Sequence, residues 1–127
     1  MNTPSRTFDD ASKAVMRHVK ERHWDKNTPR GLAISISLEA NELLEHYQWQ
    51  DSPVGDTNEL ASELADIFIY AIQFAHHYKI NIPTAITQKL EKSAEKYPVE
   101  KFATTDPAAR KKAWIESKAN FKKDTIL

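Results

Sequence analysis

The chain has 127 residues, no cysteine, only two glycines, and 18 basic against 18 acidic residues, for a formal charge of zero. That length allows one domain with a real core, or one domain and a tail. The missing cysteines exclude a disulfide framework, a thiolate nucleophile and a zinc–sulfur site, and the balanced charge leaves no basic field for nucleic acid.

A first helix is predicted from near Thr7 to about Trp24, with Thr7 as N-cap, Asp9 and Asp10 in its positive first turn, and Phe8, Ala11, Val15 and Val19 as its apolar side. Asp25 to Gly31 reads as a loop in which Thr28 caps the next helix and Pro29 takes its first position. This second helix is expected to end near Trp49. Gln50 to Thr57 is turn-rich, and Asp56 or Thr57 is placed to cap a third helix ending around Tyr78. Asn81-Ile82-Pro83 opens a fourth, with Ile82, Ile86, Leu90 and Ala94 in one stripe, and Tyr97-Pro98 stops it. Thr105-Asp106-Pro107 starts a fifth, lysine-rich helix to about Lys123, anchored by Trp114, Ile115 and Phe121. No segment alternates with period two, so the expected fold class is all-α. Residues 1–102 are expected to form the domain and residues 103–127 a helical tail.

The chemistry concentrates between Leu38 and Tyr70. Glu39 with Glu42, and Glu63 with Asp66, are each spaced i, i+3, which stacks two carboxylates on one helix face. Turned at about 100° per residue, the second helix places Ser35, Glu39, Glu42 and His46 between two apolar strips. The third is apolar almost all round except for one polar stripe: Glu59, Glu63, Asp66, Tyr70, Gln73 and His77. Such a helix is read as buried, and buried carboxylates need a partner. Solvated surface acids, or pairing with lysine or arginine from elsewhere, are the plain alternatives.

An all-oxygen donor set without cysteine or clustered histidines favours Mg²⁺, with Mn²⁺ as a substitute. Mg²⁺ commonly shares its shell with substrate phosphates, so a nucleoside triphosphate or diphosphate is the leading substrate class and metal-assisted hydrolysis the leading reaction. Trp24 and Trp49 sit at helix ends beside loops, where an indole can stack on a base or simply pack in the core. Tyr70, one turn after Asp66, can orient a metal ligand or a sugar oxygen. Lys89, Lys92 and Lys96 are candidates to neutralise phosphates, Lys92 first among them. The apolar third helix is hard to bury in one small unit, which a partner subunit would solve with a dimer or a dimer of dimers. Met1 to Arg6 lacks an apolar leader and the most apolar helix is broken by Glu63 and Asp66, so neither secretion nor membrane spanning is signalled and the expectation is cytoplasmic.

Glu39-Ala40-Asn41-Glu42-Leu43-Leu44-Glu45-His46-Tyr47-Gln48-Trp49, then Glu63-Leu64-Ala65-Asp66-Ile67-Phe68-Ile69-Tyr70, then Lys89 to Val99 with Tyr97-Pro98, resemble the MazG-like all-α nucleoside triphosphate pyrophosphohydrolases. Within that family the likeness is greatest to the dCTP pyrophosphatase subgroup, and it runs from about Phe8 to Phe102, with Glu21-Arg22-His23-Trp24 adding specificity. The resemblance implies a bundle of four core helices in an intertwined dimer, often paired into a tetramer. It implies magnesium held by Glu39, Glu42, Glu63 and Asp66, a base pocket using Trp24 and Trp49, Tyr70 near the sugar and Lys92 near phosphate. The activity implied is hydrolysis of a (deoxy)nucleoside triphosphate, dCTP or a related pyrimidine nucleotide, to monophosphate and pyrophosphate, in pool sanitation or control. Two positions depart from the pattern: Gly31 and Ser93 stand where such relatives carry asparagine, which bears on substrate preference rather than on the acids. A non-catalytic nucleotide-binding module is the second reading. A ferritin-like di-metal bundle ranks last, because those sites use Glu-x-x-His pairs.

Overall fold

Local capping chemistry starts the helices where the sequence places it. In the computed structural model, which describes the backbone of residues 6–125 and side chains up to residue 121, five α-helices follow in order: α1 (Phe8–Glu21), α2 (Pro29–Glu45), α3 (Thr57–His77), α4 (Ile82–Lys96) and α5 (Pro107–Thr125). A short 3₁₀ turn, Val99–Phe102, links the last two, and no strand occurs among the described residues, so the all-α class holds. The Met1 to Ser5 stretch, read above as lacking a leader, lies outside the described residues. Among the described residues no helix is long and apolar enough to cross a membrane.

Thr7 and Asp10 form a reciprocal capping box at α1, with each backbone N–H held by the other's side chain. At α2 the Gly31 N–H donates to Thr28 Oγ1 at 3.0 Å, and Pro29 occupies the first turn, where its missing N–H costs nothing. The α3 cap is Asp56, whose Oδ1 accepts from the Glu59 N–H at 2.9 Å. Asp56→Ala is therefore expected to cost about 1 kcal/mol of stability. A denaturant titration of the variant checks it, with the midpoint falling and the slope unchanged.

Two helix ends differ from the expectation, for backbone reasons. α1 closes at Glu21, because His23 turns into the left-handed region at φ 57°. The Trp24 N–H then donates back to the Val19 carbonyl at 2.8 Å, and the His23 N–H to the Lys20 carbonyl at 3.1 Å. This is a Schellman closure without the usual glycine. α3 ends the same way, with Lys79 at φ 55° and the Ile80 N–H bonded to the Ala75 carbonyl. α2 stops at Glu45 rather than near Trp49, since the Tyr47 and Gln48 N–H groups reach only three residues back and the His46 carbonyl accepts from the Val54 N–H.

The chain divides into two compact units, residues 1–82 and 83–127. In the first, α3 packs on both α1 and α2. Its core is small: Val19 from α1, Leu32 from α2, and Ile72 and Ala75 from α3. His46 faces Glu63 while Leu32 shares a cavity with Gln73, so numbers fall along α2 as they rise along α3, and the two helices run antiparallel. The expectation of an all-round buried α3 is not met on one chain, where only Ile72 and Ala75 of the helix are buried. Leu64 and Phe68 remain 48% and 44% exposed, as does Leu38 of α2 at 61%. In the second unit, α5 packs on the 3₁₀ turn, Tyr97 meets Phe102 edge-on at 5.7 Å, and the Lys96 ammonium lies over the Phe121 ring. Asp106 Oδ1 accepts from the Ala108 N–H at the start of α5, as a cap ahead of proline should.

Candidate metal centre and adjoining pocket

Two i, i+3 pairs on antiparallel helices converge only if both stripes face the shared seam, and they do. One oxygen from each of Glu39, Glu42, Glu63 and Asp66 lies within 4.8 Å of all the others. Glu39, Glu63 and Asp66 are half-buried, whereas Glu42 is exposed. Within this first unit no lysine or arginine pairs with them among the described residues, which removes the ion-pair alternative there. Glu39 Oε2 is buried and has no hydrogen-bond partner. A carboxylate cluster with an orphaned oxygen on one of its members is what a hard divalent cation would relieve, and an all-carboxylate donor set fits Mg²⁺ or Mn²⁺.

The electrostatics agree with the geometry. Burial, followed by the Glu42 charge and hydrogen bond and then Asp66 and Glu63, pushes the Glu39 carboxyl above the ordinary carboxylate range. Burial also raises Glu63, with Glu42 adding to it and His46 pulling the other way. A carboxyl whose folded pKa lies above its unfolded value binds more protons folded than unfolded, so the stability it gives is present at low pH and lost as pH rises through the raised value. The metal-free protein is therefore expected to melt higher as pH falls from neutral toward the ordinary carboxylate range near ~4.3. Mn²⁺ should raise the melting temperature at pH 7 and progressively less toward pH 5. Scanning calorimetry with and without Mn²⁺ checks both slopes.

Two turns along the seam lies a cavity lined by Met16, Trp24, Asp25, Asn27, Leu32, Gln73, His76 and His77. Trp24 is held there by its place in the Schellman closure and by an edge-on contact with His18 at 5.8 Å between ring centres. Its indole stays 59% exposed, available as one wall. Gly31 matters for close approach: a Cβ there would collide with the Asn27 carboxamide oxygen, so a larger residue would push that amide aside. Tyr70, half-buried, stands on the α3 stripe between Asp66 and Gln73.

The sequence-predicted residues are thus distributed unequally. The four acids meet and Trp24 lines the pocket, whereas Tyr70 is not among the lining residues and stands one turn before Gln73 on α3. Trp49, 86% exposed, lies beyond the opposite end of α2, about 20 Å along the axis from the pocket by helix rise, so one chain does not bring both indoles to one base. Lys92 is exposed on α4 in the second unit. Sequence reasoning missed Asp25 and Asn27 as pocket groups and His46 as the neighbour of Glu63. His46 did fall on the acidic stripe by its spacing, which was the available signal. Nothing marked the loop residues.

The MazG-like family profile matches residues 34–108, which contain both acidic pairs. The chain is 27% identical over 106 residues to dCTP pyrophosphatase 1 of Mus musculus and 28% over 105 residues to that of Homo sapiens. Each alignment takes in 76% of this chain, which spans 62% of the length of these relatives. A crystal structure of a pyrophosphatase from Archaeoglobus fulgidus superposes with a TM-score of 0.62 at 28% identity, covering 77% of this chain and 98% of that one. With the profile spanning more than half the chain and the helical hairpin carrying both acidic pairs, this protein belongs to the MazG-like family.

Proposed function

We propose that the protein hydrolyses a pyrimidine (deoxy)nucleoside triphosphate, dCTP foremost, to the monophosphate and pyrophosphate in a reaction that depends on Mg²⁺. The observation that carries this reading is the meeting of four carboxylates, one with a buried and unpartnered oxygen, on the same seam as a Trp-walled pocket. Asp66 and Gln73 are seven residues apart on α3, about 10 Å by helix rise, comparable to the reach of a nucleoside from base to phosphates. The names of the mammalian relatives and of the archaeal structure add support.

Glu39, Glu42, Glu63 and Asp66 hold the ion in this proposal. When bound, Mg²⁺ supplies charge neutralisation for the phosphates and Lewis-acid polarisation of a phosphoryl oxygen. The chain's own residues bind and orient the nucleotide. Trp24 stacks on the base and Tyr70 lies at the sugar, and Lys92 is the lysine assigned to phosphate by the family pattern. Asp25 offers only acceptors, and the amides of Asn27 and Gln73 offer both donors and acceptors. That combination suits a base edge bearing an exocyclic amino group, such as cytosine, over uracil or thymine. Water adds across one phosphoanhydride bond, and pyrophosphate leaves.

A second copy of the chain is part of this proposal. Leu38, Leu64 and Phe68 flank the acids and remain exposed on one chain. A homodimer or homotetramer would cover them and supply the distant Trp49 to the pocket. Residues 1–102 form the catalytic domain and 103–127 the tail, and the setting is cytoplasmic nucleotide-pool sanitation.

A panel of (deoxy)nucleoside triphosphates with Mg²⁺, with pyrophosphate and orthophosphate measured separately, tests the reading. Pyrophosphate release is expected, fastest from dCTP. Tight binding without product would instead favour a non-catalytic nucleotide-binding module. Trp24→Ala is expected to raise KM for the preferred nucleotide by about tenfold to a hundredfold, since stacking on one base is worth about 1–3 kcal/mol. Steady-state kinetics of the variant check it.

A further inference from the structure

We infer that His46 is a positioning residue for Glu63, locked in one tautomer by the loop between α2 and α3. The inference rests on the metal-binding reading above and adds a residue to it. The imidazole is nearly enclosed, with its side chain 13% exposed. Its Nδ1 accepts the Gly55 N–H at 3.1 Å, so the ring proton resides on Nε2 when the ring is neutral. That Nε2 faces Glu63 Oε1 at 3.7 Å. The contact is too long for a full hydrogen bond without an ion in place, and it has room to tighten when the carboxylate turns toward one.

The loop is built to hold the ring. The Val54 N–H donates to the His46 carbonyl at 3.0 Å, one residue before Gly55 reaches the imidazole. At Gly55 a Cβ would collide with Glu59 Oε2 and come to 2.5 Å from His46 Cε1 and 2.8 Å from Nδ1, so a larger residue would push the ring and the Glu59 carboxylate aside. Asp56 then caps α3 directly, which fixes the loop to the helix that carries Glu63. Oε1 of Glu63 is thereby kept toward His46, and an oxygen of the same carboxylate lies with those of Glu39, Glu42 and Asp66. Outer partners of this kind set the orientation of a ligating carboxylate, and their loss typically weakens metal binding by about tenfold to a hundredfold.

Two substitutions separate the ring's two nitrogens. His46→Asn keeps a polar atom near the Nδ1 position for Gly55 but removes the group facing Glu63. His46→Gln reaches farther and supplies an N–H near the Nε2 position. Mn²⁺ binding to the full-length protein, measured by isothermal titration calorimetry and by the electron paramagnetic resonance of free Mn²⁺, is the readout, alongside metal-free melting temperature. The expected result is a Mn²⁺ Kd raised about tenfold or more in His46→Asn, recovered largely in His46→Gln, with little change in metal-free melting. Wild-type affinity in His46→Asn overturns the inference and leaves the metal site standing. Equal weakening in both variants, with or without a lower melting temperature, also overturns it, because the donor to Glu63 is then not what matters. Absence of Mn²⁺ binding by the unaltered protein overturns both the inference and the reading beneath it.

Discussion

Glu63→Gln is expected to lower kcat/KM for dCTP by about a thousandfold, roughly 4 kcal/mol of lost transition-state stabilisation. The substitution preserves shape and removes one charge from a set whose four oxygens lie within 4.8 Å of each other. It should also relieve like-charge repulsion, so the metal-free variant should melt no lower than the parent, while the stabilisation given by Mg²⁺ shrinks. This opposite movement of stability and activity sets a metal ligand apart from a residue that merely holds the fold together. Pyrophosphate-release kinetics and melting curves, each with and without Mg²⁺, read it out. Activity within tenfold of the parent would remove Glu63 from the site.

Leu32→Ala should be the most destabilising single change in the first unit, by about 2–5 kcal/mol. Leu32 is 3% exposed and belongs, among the described residues, to a core of four buried apolar side chains, so little surrounding structure can collapse into the space it leaves. Against a typical total of about 5–15 kcal/mol, that is a large fraction. Leu32 also lines the Trp24 pocket, so KM should rise along with the loss of stability. Urea titration at fixed protomer concentration, paired with nucleotide kinetics below the unfolding transition, tests the pair of effects. A variant as stable as the parent would show that the core lies elsewhere.

Much of this was legible before any coordinates. Thr7, Thr28 and Asp56 announce helix starts because a short side-chain oxygen can reach an orphan N–H two or three residues on, and each of the three does so. The acidic pairs converge because an i, i+3 spacing fixes a face, and the apolar strips beside them turn that face to the neighbouring helix. Helix ends were less legible. His23 adopts left-handed backbone where a glycine or asparagine would be sought, and Tyr47 and Trp49 continue an apolar pattern past the point where α2 unwinds, whereas α3 ends at His77, beside the expected Tyr78. The pocket's loop groups were hidden for a related reason: Asp25 and Asn27 follow the Schellman turn, and no periodicity governs which way a loop side chain faces. The burial expected for α3 came from its apolar circumference, which does not say what covers each face, and Leu64 and Phe68 stay exposed on one chain.

The proposed activity needs a divalent ion among Glu39, Glu42, Glu63 and Asp66. Crystals grown with Mn²⁺ and a non-hydrolysable dCTP analogue, measured at a wavelength where manganese scatters anomalously, test it most directly. The expected result is an anomalous peak bonded to carboxylate oxygens from both α2 and α3, with the analogue's phosphates completing the shell and its base against Trp24. A peak bound elsewhere, or these four side chains turned to solvent with the nucleotide on another face, would contradict it.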